Sequence, residues 1–272
     1  MAAHALAEVA PPPLSDLHAM LARLSRQFHP HTINRIVNHP DVYPFVKGYT
    51  QGRIDVGPAV ADENNVLLMG EHGGVMFHQH QPALYEAHVN VLKAGRGAWT
   101  LAFGRAAIHW MFARSDCMEI LTRCPQGNLA ALAGAKRIGG KYWFTNPQGW
   151  VMDRDPVPAQ IYRINIHDWL DTAPGLVERG QWFRRRLTEE FKRHGQEMPS
   201  WPTNDEYDRQ IGGAVEMMLG GQAMKAQVFF NRFAEMAGWQ PIAVVSTDPL
   251  TINTGYALLI FRDTDFWIAS FL

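Results

Sequence analysis

The chain has little cysteine, no long apolar run and almost no net charge. Its 272 residues include two cysteines, Cys117 and Cys124. Their spacing fits neither a disulfide framework nor a metal site, so a reduced, cytoplasmic setting is favoured and no metal is expected. No run of about 18 apolar residues occurs, and residues 1–13 lack the basic start and apolar core of a signal peptide. We therefore expect no membrane partner and no secretion by that route.

The overall composition is that of an ordinary globular protein. The formal net charge is −1, and 47% of the residues are hydrophobic. Because no charge excess would recruit an anionic polymer, a nucleic-acid partner is not expected. The length and apolar content suffice for one large or two modest domains, each with its own core.

The most informative stretch runs from Ala83 to Phe112. Residues Ala83–Leu92 alternate between apolar and more polar side chains, which predicts a strand with two different faces. Gly95 and Gly97 end the alternation, and the apolar residues after them predict a buried helix. Such a glycine turn presents backbone N–H groups at a helix N-terminus, where they can bind a phosphate or pyrophosphate. The alternative is a turn that only connects strand to helix.

This stretch resembles motif A of the GNAT (N-acetyltransferase) superfamily, whose loop holds the pyrophosphate of acetyl-CoA. The family pattern is Gln/Arg-x-x-Gly-x-Gly/Ala. Gly95 and Gly97 match it, whereas Leu92 stands at the first position. Over about Ile33 to Asp168, the sequence is most similar to GNAT-like proteins encoded by tailed phages and prophages.

A second motif of the same family follows the predicted strand Met118–Cys124. Asn128, Ala131 and Gly139 match its pattern. Many GNAT enzymes carry a tyrosine seven residues after the asparagine, and this tyrosine protonates the leaving thiolate. The corresponding residue here is Ala135, so the resemblance implies the fold without the usual general acid.

The resemblance implies that acetyl-CoA is the donor substrate and lies between the strands Ala83–Leu92 and Met118–Cys124. A backbone N–H near Val89 to Val91 would polarise the thioester carbonyl. Asn128 would cap the second helix near the cofactor, although a plain helix cap is the alternative. The residues expected to bind the cofactor are Val89, Val91, Lys93, Gly95, Arg96, Gly97, Ala98, Trp99 and Asn128.

Glu86 and His88 are the candidate catalytic residues. They share the more polar face of a strand that should be central, and GNAT enzymes often place a general base on this strand. Either side chain could accept the proton of an acceptor amine, directly or through water. The alternative is a structural polar pair in a partly open cleft.

Two further clusters have ordinary explanations. His78 and His80, with His72 and His88 nearby, could bind zinc, but a solvated strand end explains them better because no cysteine or carboxylate spacing supports a metal site. Arg184–Arg186 could touch phosphate or RNA, but on a helix that also carries acidic residues an ion-paired, solvated face is favoured.

The predicted fold class is α/β (α+β): a GNAT-like mixed sheet with helices on both faces, followed by a smaller C-terminal α+β domain. Residues 1–29 form a tail and helix, residues 30–168 the GNAT-like domain, and residues 169–272 a domain of unknown role. The sheet should be built from strands at Asn65–Met69, Gly74–His80, Ala83–Leu92, Met118–Cys124, Lys141–Thr145 and Ala159–Ile166.

The first functional hypothesis is an acyltransferase that moves acetyl from acetyl-CoA to an unknown amine acceptor. The alternative is a non-catalytic phage structural or assembly protein that retains the fold. A third, an RNA- or ribosome-associated modifier, rests on the arginine run. In the first two cases residues 169–272 would contact a second copy or a phage-particle partner, because a small three-stranded sheet cannot cover its own faces and edges. The protein would then be located in the host cytoplasm or in the virion.

Overall fold

The computed structural model describes residues 15–152, 154–193, 195, 200, 202–237, 242–246, 256–262 and 265–270. The predicted N-terminal tail lies outside these residues. The chain divides into two units. The seven-stranded unit comprises Ser15–Phe112 and Asp116–Thr172, and the C-terminal unit contains Ala113–Ser115 and the described residues after Thr172.

The seven-stranded unit contains a mixed sheet of strand order β1-β2-β3-β4-β5-β7-β6. Strands β4 and β5 are parallel, and every other neighbouring pair is antiparallel. The predicted α/β class with a mixed sheet is therefore confirmed. Its elements are α1 (Ser15–Arg23), β1 (Ser25–Gln27), α2 (His31–Val37), α3 (Tyr43–Val46), α4 (Gly57–Ala61), β2 (Val66–Gly70), β3 (Gly73–Gln81), β4 (Leu84–Val91), a 3₁₀ turn (Lys93–Gly95), α5 (Ala98–Arg114), β5 (Glu119–Pro125), α6 (Leu129–Arg137), β6 (Lys141–Met152), β7 (Asp155–Asn165) and α7 (Ile166–Thr172).

One face of the sheet, here called the α5 face, carries Tyr85, Ala87, Val89 and Val91 of β4. Gly70 lies on the same face. A Cβ atom on Gly70 would lie 2.9 Å from Trp99 and 3.0 Å from Phe103 of α5. Further along the sheet, Cys124 and Tyr162 form a buried cluster with Leu132 and Ala135 of α6. Both helices therefore lie on the α5 face.

The opposite face, here called the α2 face, carries Glu86, His88 and Asn90 of β4. Its core joins Leu67, Met69 and Met76 of β2 and β3 to residues of α2 and α4, and all of them are buried. Met76 is the register partner of His88, so these helices share a face with His88. The prediction of helices on both faces is confirmed.

Several predicted boundaries were wrong. The hairpin turn consists of Glu71 and His72, because Gly73 and Gly74 already pair in β3. Ala83 precedes β4 with a φ of 68°, and its carbonyl accepts the N–H of Met118 at 2.8 Å. β6 runs to Met152 rather than to Thr145, with two irregularities in its pairing with β7. The elements β1, α3, α4 and α7 were not predicted.

The C-terminal unit holds three helices and a small sheet. The helices are α8 (Leu176–Arg193), α9 (Asp205–Leu219) and α10 (Ala223–Ala237), and the antiparallel sheet has the order β10-β9-β8, formed by β8 (Ile242–Ser246), β9 (Tyr256–Arg262) and β10 (Asp265–Ser270). The seven-stranded unit extends to Thr172, four residues past the predicted division, because Trp169 of α7 packs against Phe112 of α5 with 5.6 Å between ring centres. That residues 169–272 act separately stays a prediction.

Candidate active site

The parallel strands β4 and β5 stay together for only part of their length. Their pairing joins Leu84–Glu86 to Glu119–Leu121 and ends there, although β4 continues to Val91 and β5 to Pro125. The Thr122 hydroxyl donates to the Ala87 carbonyl at 3.1 Å, one residue past the last backbone pair. Beyond it the two backbone edges are not joined, which leaves a gap in the middle of the sheet.

The backbone groups of Val89 and Val91 line this gap. Along a strand, successive residues direct their N–H and C=O groups to alternate sides. Since the Ala87 carbonyl points to β5, the N–H groups of Val89 and Val91 point the same way, and the Leu92 N–H, one residue on, bonds to His72 on the β3 side at 2.9 Å. Two backbone donors therefore point into the gap.

The glycine turn lies at the end of β4. Gly95 is buried, and a Cβ there would collide with the His72 side chain and lie 2.9 Å from Val91, so no larger residue fits. Gly97 has a φ of +96° and no atom within 4 Å of the place a Cβ would occupy. A left-handed residue facing open space suits a backbone that approaches a ligand.

Helix α5 starts directly after Gly97, and its positive end faces the turn. The first helical bond at this end runs from the Leu101 N–H to the Gly97 carbonyl at 3.2 Å, so the N–H groups of Ala98, Trp99 and Thr100 have no acceptor within the helix. Gly97, Ala98 and Trp99 therefore offer adjacent donors and a helix dipole to an anion.

The two basic residues of the turn are held by the segment between α2 and α3. The Arg96 guanidinium donates to the Asp41 carbonyl at 2.7 Å, and the Lys93 backbone N–H donates to the Asp41 carboxylate at 3.3 Å. Arg96 thus anchors the turn. The Lys93 side chain is exposed.

Asn128 and Ala135 lie at the two ends of α6. The Asn128 side chain accepts the Ala131 N–H at 3.1 Å, which is the geometry of a helix N-cap. Ala135 is 5% exposed and packs in the cluster with Cys124. Burial raises the pKa of the Cys124 thiol to about 11, so this cysteine is not a nucleophile near pH 7.

Glu86 and His88 lie together on the α2 face, and the structure adds two partners. The Glu86 carboxylate is 3% exposed. It accepts two hydrogen bonds from Arg123 of β5, at 2.5 and 2.8 Å, and one from His80 of β3 at 2.7 Å. The His88 Nε2 atom lies 3.7 Å from the same carboxylate. The buried Glu86 carboxylate is therefore surrounded by nitrogen atoms of Arg123, His80 and His88.

The two candidate bases have different protonation chemistry. Burial acts to raise the pKa of Glu86, but the hydrogen bonds from Arg123 and His80 and the charges of His88 and Arg123 outweigh it, so the pKa lies below its usual value. Burial lowers the pKa of His88, the charge of Glu86 opposes this, and Arg123 adds to it. At neutral pH, His88 is a neutral imidazole and Glu86 is a paired carboxylate. His88 is the better general base.

The two charges next to His88 should shift its pKa in opposite directions. Glu86→Gln removes the negative charge that raises it, so the pKa should fall, whereas Arg123→Met removes a positive charge, so it should rise. Both can be measured by NMR titration of the His88 ring, assigned with His88→Ala. Shifts of the same sign in both variants would contradict this electrostatic arrangement.

Asn90, on the same face, is a site residue that the sequence did not single out. It is 6% exposed. Its side-chain N–H donates to the His88 carbonyl at 3.3 Å, but its buried Oδ1 atom has no donor among the described residues. A buried amide oxygen without a partner calls for an explanation, and a hydrogen bond from a ligand N–H is one.

The other charged clusters are accounted for locally. The His78 and His80 rings lie 5.4 Å apart, and within the described residues no group of three potential ligands is placed to hold a metal ion. Arg184 pairs with Asp208 and Arg186 with Glu189, both at 3.2 Å. No helix in the described part of the chain is both long and apolar enough to cross a membrane.

No family model matches the sequence, and no curated protein is significantly similar to it. Among solved structures, the chain is similar to GNAT acetyltransferases. The spermidine N-acetyltransferase of Vibrio cholerae, in complex with CoA and spermine, shares 11% identity at a TM-score of 0.47, over 55% of this chain and 99% of that one. A GNAT-family acetyltransferase of Bacillus anthracis shares 14% at 0.42, over 53% and 95%. A probable acetyltransferase of Chromobacterium violaceum shares 20% at 0.44, over 54% and 90%. Identities and scores this low assign no activity to this chain.

Proposed function

We propose that the seven-stranded unit is an acyltransferase that moves acetyl from acetyl-CoA to an amine. The observation that carries the proposal is the gap between β4 and β5, which opens beside a glycine turn at the start of a long helix. The gap exposes backbone N–H donors, and the glycine turn after the end of β4 offers an anion site. A thioester with a pyrophosphate at its far end fits this pair of features.

In this proposal the backbone of β4 holds and polarises the thioester. The N–H groups of Val89 and Val91 point into the gap, where one of them donates to the carbonyl oxygen as negative charge develops on it. The N–H groups of Gly97, Ala98 and Trp99 bind the pyrophosphate, and Lys93 and Arg96 add positive charge. Asn128 keeps the start of α6 in place beside them.

His88 is the proposed base. As a neutral imidazole it takes the proton of the acceptor amine while the amine attacks the thioester carbonyl directly. The Asn90 Oδ1 atom accepts the other amine N–H and aims the lone pair. Glu86, held by Arg123 and His80, is a positioning residue that stabilises the imidazolium formed in this step.

The departing thiolate needs no protein acid in this scheme. Ala135 occupies the position where the family often has tyrosine, and it is buried in the core. A thiol of ordinary pKa near 8.5 leaves readily as the thiolate, so solvent can supply the proton.

A non-catalytic phage assembly protein remains the rival, and it predicts no acetyl-CoA binding. A phage origin and self-association through residues 169–272 stay predictions.

The test is acetyl-CoA binding to the full chain by isothermal titration calorimetry. Gly97→Val should weaken binding by about tenfold or more, because the side chain fills the space that faces the pyrophosphate. The matched control is Gly48→Val. Gly48 also has a positive φ, of +53°, and no atom within 4 Å of the place a Cβ would occupy, so a valine there tests the effect of a left-handed backbone position outside the turn.

Gly48→Val should therefore bind like the unmodified chain. If the unmodified chain releases no heat with millimolar acetyl-CoA and its melting temperature does not rise, the proposed function is wrong. If both valine variants lose binding equally, the effect is strain, and the glycine turn is not the pyrophosphate site.

A further inference from the structure

The edge strand β6 presents two consecutive aromatic residues on one face of the sheet. Tyr142 pairs with Tyr162 and Phe144 pairs with Ile161, so Trp143 is the extra residue of a β-bulge. A bulge re-aims side chains that would otherwise alternate. The rings of Trp143 and Phe144 lie 5.0 Å apart, and the Arg163 guanidinium lies 5.4 Å from the Trp143 ring.

This aromatic pair lies on the α2 face, the face of His88. The register of the sheet pairs Arg123 with Ile161 and Ile161 with Phe144. Arg123 also bonds across the seam to Glu86, whose carboxylate lies 3.7 Å from the His88 Nε2 atom. His88, Arg123, Ile161 and Phe144, here called the row, therefore follow one another along this face of the sheet.

The row is open to solvent at its β6 end. The α2-face core draws its sheet residues from β2 and β3, whereas Trp143 is 49% exposed and Phe144 44% exposed. Exposed neighbouring aromatic side chains beside a polar cluster are typical of a binding surface rather than of a solvated strand.

The charges along the row disfavour a second cation. Arg123 and Arg163 are positive, Glu86 is already paired with Arg123, and His88 is neutral at neutral pH. A flat aromatic group, in contrast, can stack on Trp143 and Phe144 and on the planar Arg123 guanidinium, which lies between His88 and the aromatic pair.

We propose that the acceptor is a primary amine carried on an elongated aromatic body, with its amine at His88 and its ring on Trp143 and Phe144. This inference rests on the proposed function, since it names the substrate class of that same site. Trp143 and Phe144 are then specificity-determining residues.

The test compares two amines of similar reach in acetyl transfer measured by thiol release: 4-phenylbutylamine and 1,6-diaminohexane. The aromatic amine should have a KM lower by about tenfold. The double variant Trp143→Ala/Phe144→Ala should raise that KM by about tenfold, leave kcat within about twofold, and leave the KM of the diamine unchanged.

The control is Tyr142→Ala. Tyr142 lies in the same strand and is 55% exposed, but it points to the α5 face, where it contacts Tyr162. It should change neither KM. A preference for the diamine, or equal effects of Tyr142→Ala and the double variant, overturns the inference.

Two further readouts separate the possible failures. If acetyl-CoA does not bind, the proposed function itself fails. If acetyl-CoA binds but calorimetry and turnover show no preference for 4-phenylbutylamine, only the present inference fails. A double variant that halves the mass measured by light scattering would show instead that the aromatic pair is a contact between copies of this chain, which also overturns it.

Discussion

Replacing His88 with alanine should lower the turnover of acetyl transfer by about 10²–10⁴-fold and leave acetyl-CoA affinity nearly unchanged. The physical reason is the difference between the two candidate bases. His88 is neutral near pH 7 because burial depresses its pKa, so it can accept a proton. It lies on the α2 face and is not part of the glycine turn that is proposed to hold the donor. The measurement is steady-state thiol release together with calorimetric acetyl-CoA binding.

His78→Ala is the matched control for this variant. His78 is on the same face, opposite Glu86 in the register, but it is exposed. It should lower turnover by less than about threefold, because its exposed ring contacts His80 and, among the described residues, no hydrogen bond joins it to Glu86 or Arg123. Equal losses for His78→Ala and His88→Ala, or loss of acetyl-CoA binding with His88→Ala, would contradict the role of His88 as the base.

Glu86→Gln should lower turnover by less than His88→Ala. The amide leaves the imidazole in place but removes the charge that favours its protonated form, and it weakens the anchor to Arg123. If Glu86→Gln is instead as damaging as His88→Ala while acetyl-CoA binding is kept, Glu86 takes the proton itself and the assignment reverses.

The central strand, the glycine turn and the helix after it could be predicted from the sequence because their signals are local. Apolar and polar side chains alternate in β4 because successive residues face opposite sides of the sheet. Glycine is favoured at position 97 because the backbone there has a positive φ. The charged helix at Arg184–Arg186, which is α8, was predicted from local sequence as well.

The short elements could not be predicted, since β1, α3 and α4 have three to five residues each and contain less than two periods of any pattern. The Trp143 bulge was also missed. It depends on the pairing of β6 with β7, and nothing in the sequence near Trp143 shows which residue of β7 it faces.

The partners of the candidate base were missed for a similar reason. Arg123 reaches Glu86 across the β4–β5 seam, 37 residues along the chain, so its role depends on the register of two strands separated by a helix. The alternation within β5 places Arg123 on the same face as Leu121. It does not say which residue of β4 lies beside it until the pairing is known.

The C-terminal unit contains a second buried charge pair. Helices α8 and α9 approach so closely that a side chain on Gly180 or Gly212 would collide with the backbone of the other helix. Beside this contact the Arg179 guanidinium donates to the Glu216 carboxylate, and the two residues are 1% and 8% exposed. Water cannot replace either partner at such a contact, so the pair should matter for folding of this unit.

Arg179→Met should destabilise the C-terminal unit by about 3–5 kcal/mol, because it leaves the Glu216 carboxylate buried without this donor. The double variant Arg179→Met/Glu216→Leu should recover most of this loss, because neither charge of the pair is left behind. Urea unfolding followed by circular dichroism measures both changes. Arg185→Met, an exposed site on the same helix, should stay within about 0.5 kcal/mol. A double variant no more stable than Arg179→Met alone would show that the pair contributes by its packing rather than by its charge.

Calorimetry of Arg179→Met then tests whether residues 169–272 are independent of the candidate site. If they are, the destabilised chain should still bind acetyl-CoA with unchanged affinity, and loss of binding along with the helices would show that the two units fold as one.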